Sequence, residues 1–178
     1  MRRILVGILA VVVLAIVVGC GTETTSTQPV KPADTKASPS KAVVGDTLSI
    51  AGNEAKLEVT LLKTKRGPAV KAYGTQMSPA AFAVMLRIKN TGTKVYDDSV
   101  SNCAVLVDVK DQTHNAEFSM MDKSGNLIAG MLESVKISSG DQRSGWVFFA
   151  MKPSQKPRTL QYTAESGFGP EVGEWSLK

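Results

Sequence analysis

The stretch AAFAVMLRIKNTG alternates with a period of two. Phe82, Val84, Leu86 and Ile88 share one parity, Ala83, Met85, Arg87 and Lys89 take the other, and Asn90-Thr91-Gly92 supplies a turn. Strand side chains leave on alternate faces, so this pattern predicts a half-buried strand and opposes an amphipathic helix. The alternation recurs in KLEVTLLK, with Leu57, Val59 and Leu61, and in NCAVLVDVK, with Cys103, Val105, Val107 and Val109. Asp111-Gln112-Thr113 then reads as a hairpin turn. Beyond Ser138-Ser139-Gly140-Asp141, RSGWVFFAM reads as a strand ending at Pro153, and RTLQYTA as another around Leu160 and Tyr162. No segment repeats and none carries a helical stripe. Strands of this length between Gly, Pro, Asn and Asp punctuation predict an all-β fold, an antiparallel β-sandwich.

A different physics governs the first 41 residues. Arg2 and Arg3 precede an apolar run from Ile4 to Val18, and Cys20 follows. That run would span roughly 22 Å as a helix, short of the roughly 30 Å hydrocarbon core, so it reads as a signal peptide over residues 1–19 rather than a permanent span. Thr22 to Ser40 is rich in Thr, Ser, Pro and Lys and has no aromatic residue. Such a segment cannot bury enough apolar area to offset its ordering entropy, so residues 20–41 read as a disordered tether. One domain, residues 42–178, remains.

Val17-Val18-Gly19-Cys20 resembles the lipobox of bacterial lipoproteins, with Val17 where Leu is commoner. The resemblance implies a thioether-linked diacylglycerol on Cys20, cleavage before it, and anchoring at the extracytoplasmic face of the cell membrane. An ordinary secretory signal with an incidental Cys20 is the alternative. Cys103 is then left without a partner in the chain, so the domain rests on its core rather than on a disulfide.

Val44-Gly45-Asp46-Thr47-Leu48, Phe82 to Ile88 with Lys89-Asn90-Thr91-Gly92, and Ser139-Gly140-Asp141 leading through Gly145-Trp146-Val147-Phe148 toward Pro153 resemble the bacterial domain of unknown function 4352. The resemblance covers about Val43 to Thr163 and implies an immunoglobulin-like fold, often lipid-anchored. It brings no catalytic residue with it. Ser166 to Lys178 lies outside the resemblance.

The chemistry-bearing residues are sparse. The chain carries 1 His and 2 Cys. If Val109 pairs with His114, Cys103 lies about 20 Å away along the strand, too far for a nucleophile pair. Cys103 reads as buried and inert, His114 as a hairpin residue. No Gly-x-Ser-x-Gly frames a serine, and zinc lacks ligands. Asp97-Asp98 and Asp108 with Asp111 lack calcium-loop spacing and read as solvated turn acids. The formal net charge of +5, reduced by two when Arg2 and Arg3 leave, comes from interspersed acids and bases and shows no stripe for nucleic acid.

LLKTKRGPAVKAYGTQMSPAAF is the distinctive segment. Lys63, Lys65, Arg66 and Lys71 crowd what reads as one loop, with Tyr73 and Met77 following. That loop either grips an anionic polymer, a headgroup or a protein, or is a solvated cover for the sandwich end. Trp146 and Phe148 oppose Val147 and Phe149 in parity, so their strand is either central and covered on both faces or has one face awaiting a partner. The expectation is a non-enzymatic binding module without a cofactor beyond its lipid, meeting an envelope protein or polymer. The alternative is a small-ligand receptor with an end pocket near Tyr73.

Overall fold

A sheet with alternating apolar side chains buries its apolar face against a second layer, here another sheet. The computed structural model describes residues 41–67, 71–72, 81–118, 120–122, 124, 126 and 128–177, with Lys71 and Ala72 described by backbone alone. The signal segment, Cys20, the tether to residue 40, Tyr73 and Met77 lie outside the described residues. The strands are β1 Ala42–Val43, β2 Thr47–Ala51, β3 Lys56–Gly67, β4 Lys71–Ala72, β5 Ala81–Asn90, β6 Tyr96–Ser99 and β7 Ala104–Asp108. They continue as β8 Thr113–Asn115, β9 Met120–Met121, β10 Ser134–Ile137, β11 Gln142–Ala150, β12 Pro157–Thr163 and β13 Val172–Ser176.

One sheet has the order β11-β5-β3-β2 and the other β1-β13-β12-β7-β8, with two short ribbons, β10-β6 and β4-β9. Among the described strands the pairings are antiparallel except β1 with β13, and an isolated parallel bridge joins Met131 to Trp146 of β11. The fold is the antiparallel β-sandwich that the alternation predicts, of the immunoglobulin-like kind that the family resemblance implies. Its core joins Leu57, Val59, Leu61, Val84, Leu86, Ile88, Val147 and Phe149 of the first sheet to Leu106, Leu160, Tyr162 and Trp175 of the second. Each such side chain contributes about 1.5–3 kcal/mol on burial.

The turn motifs knit one end. Asn90 is buried, and its amide donates to the carbonyls of Lys94 (2.7 Å) and Ile137 (2.9 Å). Gly140, at φ +83°, takes the left-handed conformation that closes Ser138–Asp141, and its N–H reaches the Asn90 carbonyl at 2.8 Å. Asn90-Thr91-Gly92 and Ser139-Gly140-Asp141 are therefore one hydrogen-bonded unit.

Four expectations are corrected. Lys63, Lys65 and Arg66 lie on β3 rather than in a loop, because pairing with β5 continues past an irregularity between Leu61 and Lys63. Around β7, Cys103 and Val107 are buried as expected, but Ala104 and Leu106 are buried too, while Val105 is half-buried and Val109 is 53% exposed. The physical reason is a single helical turn, Val100–Cys103, which takes Cys103 out of the strand and resets its parity. The hairpin pairs His114 with Leu106 rather than Val109. Finally, β11 is an edge strand, yet both its faces are apolar. Phe148 and Trp146 form a second small cluster with Ala81, Ala83, Met120, Ile128 and Met131.

Candidate functional site

An extra residue in one strand switches which parity faces the core. Before the irregularity, Leu57, Val59 and Leu61 point inward; after it, Lys63 pairs with Met85 and Lys65 with Ala83, on the outer face. Continuing the original parity would have driven both lysines into the core. The bulge instead carries them beside Trp146, with Lys63 Nζ 5.4 Å and Lys65 Nζ 4.0 Å from its ring centroid. Trp146 is fixed from the other side: its N–H donates to the Gly130 carbonyl and its carbonyl accepts from Leu132, both at 2.8 Å. Exposed cation–π contacts of this kind are worth about 0.5–1 kcal/mol each.

Arg66 completes this end. Its guanidinium lies 5.9 Å from the Phe82 ring centroid and donates to the Gln155 carbonyl. Gln155 leads into a shallow recess of about 270 Å³ whose walls include Lys110, Lys152 and Lys156. Lys63, Lys65, Arg66, Lys110, Lys152 and Lys156 are all exposed. None is ion-paired among the described residues, whereas the nearby Arg158 holds Asp111 at 2.6 Å. Of the remaining expected site residues, Lys71 contributes a backbone pairing with Met121, while Tyr73 and Cys20 lie outside the described residues.

The opposite end is built on carboxylates. Asp98 is not a solvated turn acid: it is 9% exposed and accepts from Tyr96 Oη (2.7 Å), Cys103 Sγ (3.1 Å), Ser99 N (2.8 Å), and Ser166 N and Oγ (2.9 and 2.6 Å). Burial raises the Asp98 carboxyl, but the bonds from Ser166, Tyr96 and Cys103 outweigh it and hold the group below its ordinary 3.8. Glu165, beside Ser166, accepts from the N–H groups of Asn53 (2.9 Å), Glu54 (2.7 Å) and Ala55 (3.2 Å) in the β2–β3 turn. Those amides hold its carboxyl below the ordinary 4.5. A Cβ at Gly52 would stand 2.5 Å from Glu165 Oε1, so the turn needs glycine to admit the carboxylate. Glu165 and Ser166 both sit at positive φ, 58° and 53°. Two non-glycine residues persist there because both side chains are pinned. A cleft of about 390 Å³ opens beside them, lined by Glu54, Lys94, Val95, Tyr96, Asp97 and Asp98 among others.

Cys103 and His114 have separate partners. The thiol donates to Asp98, and burial together with that carboxylate pushes it up to about 12, far from the thiolate a nucleophile needs. His114 Nε2 lies 3.2 Å from Asp108 Oδ2. Asp108, also expected as a solvated acid, is 1% exposed and accepts from the N–H groups of Lys110 and Gln112 to close the hairpin. Among the described residues no group of three or more His, Cys, Asp or Glu is placed to hold a metal ion.

Two features escaped the sequence reading. The Asp98–Ser166 and Glu165 clamps join segments more than a hundred residues apart in the Glu165 case, which local spacing cannot show. Trp175, fully buried with its indole N–H on the Asp46 carbonyl at 3.1 Å, closes the core from β13. The alternation Gly173, Trp175, Leu177 against Val172, Glu174 was its available signal.

A bulged, two-sheet sandwich with exposed cations clustered at one end defines a β-sandwich module. The chain belongs to the family described as domain of unknown function DUF4352, which matches residues 45–171. No curated protein matches it. Among solved structures it is similar to the yjhA protein of Bacillus subtilis, at 14% identity and a TM-score of 0.58 over 77% of this chain and 99% of that one. It is also similar to MPT63, a secreted protein of Mycobacterium tuberculosis, at 12% identity and 0.57 over 79% and 98%. A candidate lipoprotein of Bacillus subtilis, ycdA, matches at 17% identity and 0.56 over 78% of this chain and 39% of that one. At these identities the likeness is one of fold.

Proposed function

We propose that this chain is a membrane-anchored extracytoplasmic lipoprotein, held by a diacylglycerol on Cys20, whose sandwich is a non-enzymatic interaction module at the cell envelope. The observation that carries the reading is the set of exposed, unpaired cations gathered at one end, with Lys63 and Lys65 ordered over Trp146. A fold gains little stability from unpaired surface charge, so charge kept there serves contacts outside the chain. The lipobox-like Val17 to Cys20 and the similarity to ycdA support the anchor. Among the described residues no helix is long and apolar enough to cross a membrane. Cys103 and His114 spend their chemistry on Asp98 and Asp108, which favours binding over catalysis. A small-ligand role has weaker support, because Asp98 and Glu165 beside the 390 Å³ cleft already have their hydrogen bonds satisfied internally.

Cross-linking in the native membrane, with mass spectrometry of the adducts and of the N-terminus, tests this. A diacylglyceryl Cys20 and a recurrent adduct through the basic end are expected. An unmodified Cys20, or a mature start beyond it, removes the anchor.

A further inference from the structure

We infer that the basic end docks on an anionic phospholipid surface, with Lys63, Lys65, Arg66 and Trp146 at the contact. This deepens the proposed function and rests on its placement of the chain at a membrane. Three observations converge. First, among the described residues the exposed cations of β3, of the 108–112 turn and of the 151–156 loop form no ion pairs, the exposed Asp111 of that turn being held by Arg158, while at the far end Lys89, Lys94 and Lys136 pair with Glu58, Glu54 and Asp97.

Second, the chemistry at this end is mixed in the way a headgroup layer requires. Trp146 is half-buried with two ammonium groups at its ring, and Val109 is 53% exposed beside Lys110. Indole rings settle at headgroup depth, and lysine stems lie along apolar surface while their ammonium groups reach phosphate. The opposite end also exposes an aromatic ring, Phe168, but in one loop with Glu165 and Glu171, which an anionic surface repels.

Third, the geometry allows it. Twenty-one residues lie between Cys20 and Ala42, so a domain anchored by Cys20 stays close enough to turn its basic end to the bilayer. Attraction then acts within about 10 Å at 0.1 M salt. Each basic group near such a surface strengthens binding roughly fivefold.

The test uses the whole chain from residue 20 carrying Cys20→Ser, so that no acyl chain contributes, in sedimentation with phosphatidylglycerol/phosphatidylcholine vesicles and with phosphatidylcholine alone. Binding only to the anionic vesicles is expected, with loss in 1 M salt. Lys63→Ser with Lys65→Ser and Arg66→Ser should weaken it roughly a hundredfold. Lys110→Ser with Lys152→Ser and Lys156→Ser, on turns outside the sheet, should weaken it comparably and covers the case in which the β3 variant fails to fold. Lys94→Ser with Lys136→Ser should leave it unchanged. Trp146 emission should shift to the blue on binding, Trp175 being buried.

Absence of anionic preference overturns the inference. So does equal loss in the Lys94/Lys136 variant, which would reduce the effect to net charge. Binding to soluble polyphosphate without binding to vesicles assigns the end to a polymer instead, and unshifted emission from bound protein removes Trp146 from the contact. The intact mass of the membrane-derived wild-type chain reports lipid on Cys20 separately, so anchor and docking fail independently.

Discussion

The two ends of the sandwich use charge in opposite ways. At the end formed by the β2–β3 turn and the loop after β12, carboxylates are structural. Asp98 gathers Tyr96, Cys103 and Ser166, and Glu165 fills a nest of backbone amides. At the other end Lys63, Lys65 and Arg66 are exposed, form no ion pair among the described residues, and rest on aromatic faces. Charge buried among donors holds the fold together and is costly to remove; charge left in water is nearly neutral to the fold and free for recognition. Substitutions at the two ends should therefore separate stability from binding.

The largest effect is expected from Asp98→Ala. It leaves the Tyr96 hydroxyl and the Ser166 groups without their acceptor in a mostly buried site, at a cost of about 3 kcal/mol. Urea unfolding followed by circular dichroism measures it. A loss below about 1 kcal/mol would mean that the carboxylate end is not built as described.

Acid should act on the same end. The folded-state carboxyls of Asp98 and Glu165 lie below their ordinary 3.8 and 4.5, so their contribution is fully present above those values. It is lost as pH falls through 4.5 and then 3.8 toward the lower folded values. A denaturation midpoint that stays flat from pH 6 to pH 3 would contradict the clamps. At the alkaline side the sign reverses for Cys103: with its thiol raised from 9.0 to about 12, stability declines as pH rises across that interval.

Glu165→Ala is expected to cost less, about 1–2 kcal/mol, comparable to the loss of a helix N-cap, because water can solvate part of the freed turn. Its signature is local. Amide exchange at Asn53, Glu54 and Ala55 should accelerate while the β5 and β11 amides stay protected.

These effects show why some of the molecule could be read along the chain and some could not. Leu57, Val59, Leu61 and the run from Phe82 to Ile88 were legible because burial on one face imposes a period of two. Asn90-Thr91-Gly92 and Ser139-Gly140-Asp141 were legible as turns because their conformations favour Asn and Gly. The bulge after Leu61 was not legible, since Leu62-Lys63-Thr64-Lys65 reads as the onset of a polar loop unless the partner strand is known. The helical turn Val100–Cys103 shifted the parity of β7 for the same reason: one local irregularity brings Ala104 and Leu106 into the core in place of Val105. Asp98 looked like an ordinary turn acid and nothing along the chain singled out Glu165, because what distinguishes them is donors from distant segments, Ser166 for one and the Asn53–Ala55 turn for the other. The basic cluster was visible as composition. Its ordering over Trp146 depended on β3, β5 and β11 being neighbours.

The smallest expected effect is the sharpest for the comparison. Lys63→Ser, Lys65→Ser and Arg66→Ser together remove three charges, two contacts to the Trp146 ring and one to Phe82. Exposed cation–π pairs contribute about 0.5–1 kcal/mol each, and removing like charges from one another's vicinity returns part of that. Serine keeps the strand polar, and the inward residues Val84 and Phe82 are untouched. The net change in unfolding free energy should therefore stay within about 1 kcal/mol, with β5 and β11 amide protection unchanged. If the triple variant instead loses 3 kcal/mol or more, these cations are structural like the carboxylates at the far end. The distinction between an end that holds the fold and an end held ready for a partner would then collapse.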